Sequence, residues 1–229
     1  MTTASSVFLD ALTEAGVEYI FANLGSDHTG LIEAAAEAKA TGKRVPALLT
    51  CPTEMVALSA AHGFAQVSGK AQAVLVHVEC GTQSLAGAMH NAAKGRVPVL
   101  IFAGASPFTQ HGELRGSRNE FIHWIQDVHD QRGLVRGYAK FDCELRNADN
   151  IRELTFRALR FAYSDPRGPV YLMGAREIME ADTDPAAGRS GHWQPVARTA
   201  LPPDAVENIA IDLSRARRPL TESAESWRP

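Results

Sequence analysis

The chain of 229 residues predicts an α/β fold, a mostly parallel six-stranded sheet with helices on both faces. Three observations carry that expectation. Short apolar runs alternate with segments of helical periodicity along most of the sequence. The runs are apolar at nearly every position, as in strands buried on both faces. Glycine or small polar residues separate one kind of segment from the other.

The elements follow in order. Residues 6–15 place Phe8, Leu9, Leu12 and Ala15 at helical spacing and stop at Gly16, a residue suited to follow a helix end. Residues 17–21, Val-Glu-Tyr-Ile-Phe, read as a strand. A helix over 31–39 and a short strand over 47–50 continue the alternation. Residues 54–67 are helical and close at Ser68-Gly69-Lys70. Next come a strand over 73–78, a helix over 83–94 and a strand over 97–103. Residues 151–163 form a helix, and 169–173 a strand bounded by Gly168 and Gly174.

Composition narrows the function classes. With 45% hydrophobic and 21% charged residues the chain can bury one substantial core and begin a second. A net charge of -3 offers no basic field for a phosphate backbone, so nucleic acid is not an expected partner. Apolar runs such as 97–103, with Pro98 inside, fall short of the ~20 residues that cross a bilayer, so no membrane span is expected. Met1-Thr2-Thr3-Ala4-Ser5-Ser6 lacks a basic segment followed by an apolar one, which predicts no secretory signal and a cytoplasmic location. Cys51, Cys80 and Cys143 are odd in number and form no Cys-x-x-Cys pair, and read as buried reduced thiols. His28, His62, His90, His123 and His129 never fall into a His-x-x-x-His set, so no metal site is expected on this chain.

Ligands of parallel α/β sheets sit beyond the carboxyl ends of the strands. That rule singles out the strand-to-helix loops 23–30, 51–54 and 77–84. In Thr50-Cys51-Pro52-Thr53-Glu54, Pro52 and Thr53 suit a helix start, so Glu54 falls in the first turn. A first-turn glutamate can simply complement the helix dipole. The helix behind it is small and apolar almost all round, which predicts burial on most sides and a carboxylate that needs a partner.

Thr53-Glu54, Ala60-Ala61-His62-Gly63-Phe64-Ala65 and Ser68-Gly69-Lys70 together resemble the Glu…Ala-x-Gly-Tyr-Ala…x-Gly-Lys signature of thiamine diphosphate-dependent enzymes. The resemblance is to the N-terminal pyrimidine-binding domain of the acetolactate synthase and benzoylformate decarboxylase branches, and it runs from about Ser6 to Glu180. It implies that Glu54 bonds a ring nitrogen of the cofactor's aminopyrimidine, favouring the imino tautomer that deprotonates the thiazolium carbon for attack on a 2-oxo acid. It implies cofactor contacts at Gly25, Gly81 and Thr82. His77 resembles a proton-transfer histidine of that family, or is a structural histidine at a strand end. Ser26 resembles a serine that binds the substrate carboxylate, or caps the next helix beside Asp27. Gln126 falls in a segment similar to one near the substrate channel. Gln110, His111, Glu113, Arg115 and Arg118 lie in a long polar segment that reads as a lid or as solvated surface. Leu24 and Gly81-Thr82-Gln83-Ser84 depart from the family's usual proline and Gly-Thr-Gly-Asn, which leaves the substrate open.

The family holds diphosphate and Mg2+ through a Gly-Asp-Gly motif on a separate domain, and this sequence contains no Gly-Asp-Gly. The expected organisation is a pyrimidine-binding domain over 1–182, then a linker and the truncated start of a middle domain over 183–229, with 204–215 as an amphipathic helix carrying Val206, Ile209 and Leu213. The final residues 221–229 are polar where the family would enter a buried strand. The implied partner is a diphosphate-binding domain on another chain or in a missing C-terminal region, in a homo-oligomer acting on small 2-oxo acids. A natural small subunit of a two-chain decarboxylase and a non-catalytic domain retaining the fold are the other readings. The small-residue character of 54–67 and 85–93 predicts association through the surface around Glu54, Ala61 included.

Overall fold

The computed structural model describes residues 2–188, 194–196 and 199–221. The linker residues 189–193 and the polar tail 222–229 fall outside them. The strands are β1 Tyr19–Ala22, β2 Ala47–Thr50, β3 Gln72–Val76, β4 Val99–Ala105, β5 Asp142–Leu145 and β6 Val170–Ala175. The helices are α1 Ala4–Glu14, α2 Thr29–Thr41, α3 Glu54–Ser68, α4 Val78–Ser84, α5 Ala86–Lys94, α6 Gly133–Arg136, α7 Ile151–Tyr163, α8 Arg176–Met179 and α9 Pro203–Arg215.

One six-stranded sheet in the order β2-β1-β3-β4-β6-β5 organises the chain, and every pairing is parallel. Alternation along the strands sorts side chains onto two faces. Leu75, Leu100, Phe102 and Leu172 pack with Phe8 and Leu12 of α1 and Leu159 of α7. Val74, Val76, Ile101 and Tyr171 pack with Leu58 of α3 and Met89 of α5 on the other side. Each fully buried Leu or Phe contributes about 1.5–3 kcal/mol of transfer free energy, so the two faces together supply the driving force for the sheet.

Local chemistry sets the boundaries. Thr53 accepts the Val56 amide with its side chain at the start of α3, and Gly69 ends that helix at φ 74, a left-handed conformation that favours glycine. β1 starts at Tyr19 rather than Val17 because Gln72 Oε1 accepts the Glu18 and Tyr19 amides from across the sheet. β4 starts at Val99 rather than Val97: the Val97 amide is held by the Ala92 carbonyl, and Pro98 has no amide to give.

Several expectations are corrected. The stretch 77–84 is not a loop: α4 springs directly from β3 and hands over at Leu85 to α5, so the helix expected over 83–94 is two. β3 ends at Val76 because the Val78 amide is captured by Asp27 Oδ2 at 3.2 Å. β5, for which no apolar run prepared, is a polar edge strand with only Leu145 buried. Helix α3 is not buried on most sides: Ala57, Leu58, Ala61 and Ala65 face the sheet, while Met55, Val56 and Val67 are 50%, 45% and 82% exposed. Ala61 therefore belongs to this chain's own core and not to an association surface; the same holds for Ala88, Met89 and Ala92 of α5. All three cysteines are free, but only Cys51 is buried; Cys80 is exposed on α4 and Cys143 is half-buried.

Among the described residues no helix is long and apolar enough to cross a membrane. Helix α9 has no buried residue; its Val206, Ile209 and Leu213 remain largely exposed.

Candidate active site

The chain runs outward from β1 to β2 and then returns to place β3 on the other side of β1. That reversal opens a crevice beyond the carboxyl ends of β1 and β3. The chain leaving β1 supplies Gly25, Ser26, Asp27 and His28, with residues 26–28 in a 3-10 turn. The chain leaving β2 supplies Glu54, and the chain leaving β3 supplies His77 and then α4 with Glu79, Gly81 and Thr82.

Glu54 is half-buried in the first turn of α3. Ser84 Oγ donates to its Oε2 at 2.8 Å, fixing one side of the carboxylate. Its Oε1 accepts no hydrogen bond from the described residues and lies 3.3 Å from where a Cβ on Gly81 would stand. A Cβ there would also stand 3.1 Å from Val76 Cβ, so glycine at 81 lets α4 pack against the end of β3 without crowding that oxygen. Thr82 is fully buried; its hydroxyl donates to the Val78 carbonyl at 2.7 Å and accepts from the Tyr171 hydroxyl at 2.7 Å, and Gln131 Nε2 donates to Tyr171 in turn. Its side chain thus braces α4 against β6. Burial, relieved in part by the bonds from Thr82 and Gln131, pushes the Tyr171 phenol up to about 12.

The second half of the crevice is a buried acid and two histidines. Asp27 is 4% exposed, and its Oδ1 stands 2.6 Å from His77 Nδ1. Burial pushes the Asp27 carboxyl up, but the bond from His77, the charge of that histidine and the Val78 amide prevail and hold it below the usual carboxylate range. The bond to Asp27 raises the proton affinity of His77 against a smaller effect of burial, and the charges of Asp27, Glu79 and Glu54 raise it further. His28 is fully buried, and its Nδ1 accepts the Gly25 amide at 3.1 Å. Burial depresses its proton affinity, so it is neutral. The close approach of these groups requires glycine: a Cβ on Gly25 would stand 2.1 Å from His77 Nδ1, and one on Gly104 of β4 would stand 1.7 Å from Asp27 Oδ2. Val78, at φ 32, holds a strained backbone conformation for a β-branched residue where β3 turns into α4.

The structure thus joins Gly25 and His77 directly, sets Gly81 against Glu54, and brings Glu54 close enough to His77 for charge to be felt. Ser26 is half-buried next to Asp27, its carbonyl accepting from the Thr29 hydroxyl. Gln126 is buried and lines a separate open pocket of about 370 Å³ with Ser106, Asp127 and Gln131 beyond β4. No described hydrogen bond links it to Glu54. The long polar segment ties to itself: Glu113 accepts the Gln110 and His111 amides, Trp124 Nε1 donates to Gln110, and Arg118 donates to Asp127 at 2.6 Å. Arg115 pairs with Asp182 at 3.6 Å. Sequence reasoning passed over Asp27, Ser84 and Gly104 as site residues. The signal at Gly104 was a glycine inside an apolar strand, a mark of close approach. No local pattern distinguishes Asp27 from an ordinary turn aspartate.

A first-turn carboxylate and a buried acid with two histidines at the switch point stand where α/β domains of this topology take their ligands. Residues 2–134 match the family described as "Thiamine pyrophosphate enzyme, N-terminal TPP binding domain". The match covers more than half of the chain, which belongs to that family as an N-terminal pyrimidine-binding domain. Among relatives, the chain is 30% identical over 172 residues to a putative acetolactate synthase large subunit, IlvB2, of Mycobacterium tuberculosis, covering 70% of this chain and 28% of that protein. It is 26% identical over 200 residues to 2-hydroxyacyl-CoA lyase of Saccharomyces cerevisiae, covering 86% and 32%. In fold it is similar to a thiamine diphosphate-dependent 4-hydroxybenzoylformate decarboxylase of Rhodococcus jostii RHA1, with TM-score 0.73 and 21% identity over 96% of this chain and 38% of that one. The chain therefore spans about a third of the length of these proteins.

The residues present fit one end of thiamine diphosphate. The open Oε1 of Glu54 beside Gly81 suits a planar heterocycle presenting a ring nitrogen. Asp27, Glu54 and Glu79 give the crevice an acidic character.

Proposed function

We propose that this chain is the cofactor-activating part of a thiamine diphosphate-dependent lyase or carboligase that decarboxylates or condenses small 2-oxo acids. The single observation that carries this reading is Glu54, with Oε2 anchored by Ser84 and Oε1 open beside Gly81 at the switch point. When bound, the cofactor supplies the electron sink that lets a 2-oxo acid lose carbon dioxide or be condensed. Glu54 would hold the cofactor's pyrimidine end, its Oε1 offering the acid group that the ring nitrogen needs. Gly81 would keep a side chain from crowding Glu54 Oε1, Gly25 would present its backbone to the cofactor while making room for His77, and Thr82 steadies the turn that carries Gly81. His77 exchanges a proton with the substrate, Ser26 receives the substrate carboxylate, and Gln126 lines the approach.

Mg2+ and the diphosphate require a second domain, on another chain or C-terminal to this one, and the longer relatives support that organisation. The boundary falls near 182, where the Thr3–Asp182 bridge and the Ala4 amide on the Ala181 carbonyl fasten the end of the domain to its beginning. The test is Glu54→Gln assembled with a diphosphate-binding partner domain, following exchange of the thiazolium proton by NMR. The variant keeps size and most hydrogen bonding but loses the acid, and exchange slows by about 10²-fold or more. Exchange at the unmutated rate overturns the assignment.

A further inference from the structure

Asp27 has no role in the reading above, although it is the most buried charge in the crevice. We infer that Asp27 is the positioning residue of His77: its enclosed carboxylate holds the imidazole as the Nδ1–H tautomer and leaves Nε2 as the atom that exchanges a proton with the ligand. This rests on the reading of His77 as the residue facing the substrate.

The geometry admits one arrangement of protons. Asp27 Oδ2 is taken by the Val78 amide at 3.2 Å, and Oδ1 has two imidazoles near it, His77 Nδ1 at 2.6 Å and His28 Nδ1 at 3.3 Å. His28 cannot donate there, because its Nδ1 already accepts the Gly25 amide, which leaves its proton on Nε2. His77 is left as the donor, and Nδ1 carries the hydrogen. Its Nε2 then meets no hydrogen-bond partner among the described residues, on a side chain 23% exposed to the crevice.

The room for this pair is built into two other strands' ends by Gly25 and Gly104, where any side chain would collide with His77 or Asp27. The amide that completes the coordination of Asp27 belongs to strained Val78, directly after His77, so the same carboxylate fixes both the ring and the backbone that carries it. A carboxylate behind a histidine sets its orientation and raises its basicity, as it does in other proton-transfer sites. The other groups facing His77 are Glu54 from α3, Glu79 from α4, His28 and, more remotely, His123 from the segment after β4. Both glutamates favour the imidazolium, the neutral His28 adds no charge, and Cys80 stays a thiol because burial and Glu79 raise its pKa.

The experiment is long-range 1H–15N correlation NMR of the full chain with labelled histidine, titrated with pH. The expected neutral tautomer of His77 is Nδ1–H; an Nε2–H tautomer overturns the inference without any variant being needed. In Asp27→Asn the proton affinity of His77 falls about tenfold or more, since the facing charge is gone. An unchanged titration in a folded variant also overturns it. Turnover of His77→Ala, assembled with a diphosphate-binding partner, separates this from the reading it rests on. Unchanged turnover beside an Nδ1–H tautomer removes His77 from the chemistry, and with it the purpose of the positioning. Lost turnover beside an Nε2–H tautomer keeps His77 and removes Asp27.

Discussion

At the scale of single residues, the crevice couples ionisation to folding. The folded pKa of His77 is raised, so its contribution is fully present below its ordinary value of about 6.5 and is lost as pH climbs through the folded value. Asp27 is depressed, so its contribution is present above about 3.9 and is lost as pH falls through the folded value. His28 has the opposite sense to His77: buried and neutral, it loses stability for the fold when the unfolded chain takes up its proton below about 6.5. Above that pH only His77 among the three has a slope. Stability measured by urea denaturation is therefore expected to decline from about pH 6.5 upward, and Asp27→Asn to remove that decline. A slope of the same size in the variant would show that other groups cause it.

At the scale of elements, α3 does two jobs with two faces. Ala57, Leu58, Ala61 and Ala65 seat it on the sheet, which carries Glu54 to the crevice. Met55, Val56, Ser59, Gly63 and Val67 form the opposite stripe, exposed and largely apolar, and the edge strand β2 exposes Leu48 and Leu49 as well. Such a stripe favours a partner. Val56→Lys with Val67→Lys is expected to leave circular dichroism unchanged and to shift sedimentation velocity toward monomer. Ala61→Asp, by contrast, buries a charge at a site with 0% exposure and is expected to unfold the chain. An unmodified chain that sediments as a monomer at every concentration would refute association through this face. Legibility also differed by element. The strand over 47–50 and the helix over 151–163 were readable to the residue, because each is a local pattern of apolar spacing. Strand β5 was not readable, since Asp142 and Glu144 owe their places to Arg132, Arg136 and Arg146 rather than to an apolar pattern. Helix α4 was not readable either, because its first residue is turned by a bond from Asp27, 51 positions away in sequence.

At the scale of the whole molecule, the proposed function divides the cofactor between this chain and a second domain. Its crevice carries Glu54, Asp27 and Glu79, carboxylates that would repel a diphosphate brought near them. Calorimetric titration of the purified chain with thiamine diphosphate and Mg2+ is expected to give no micromolar binding. Micromolar, magnesium-dependent binding would mean that the diphosphate is held here after all. A chain about a third as long as its relatives is consistent with a site completed elsewhere.

The sequence by itself determined the alternation of strands and helices, the two-sided burial of the sheet and the placing of Glu54 in a first helical turn, because these depend on patterns within a few residues of each other. The short strings around Glu54, taken in order with matching pieces between about residues 6 and 180, were also enough for the family. Tertiary structure alone decided that β3 lies beside β1, and so where the crevice opens. It alone placed Asp27 against His77 and Val78, put Gly104 where a Cβ would strike Asp27, and turned Met55, Val56 and Val67 outward while Ala61 went in. The physical reason is that a buried charge is tolerated only where donors converge on it, and those donors come from strands that meet only when the sheet has formed.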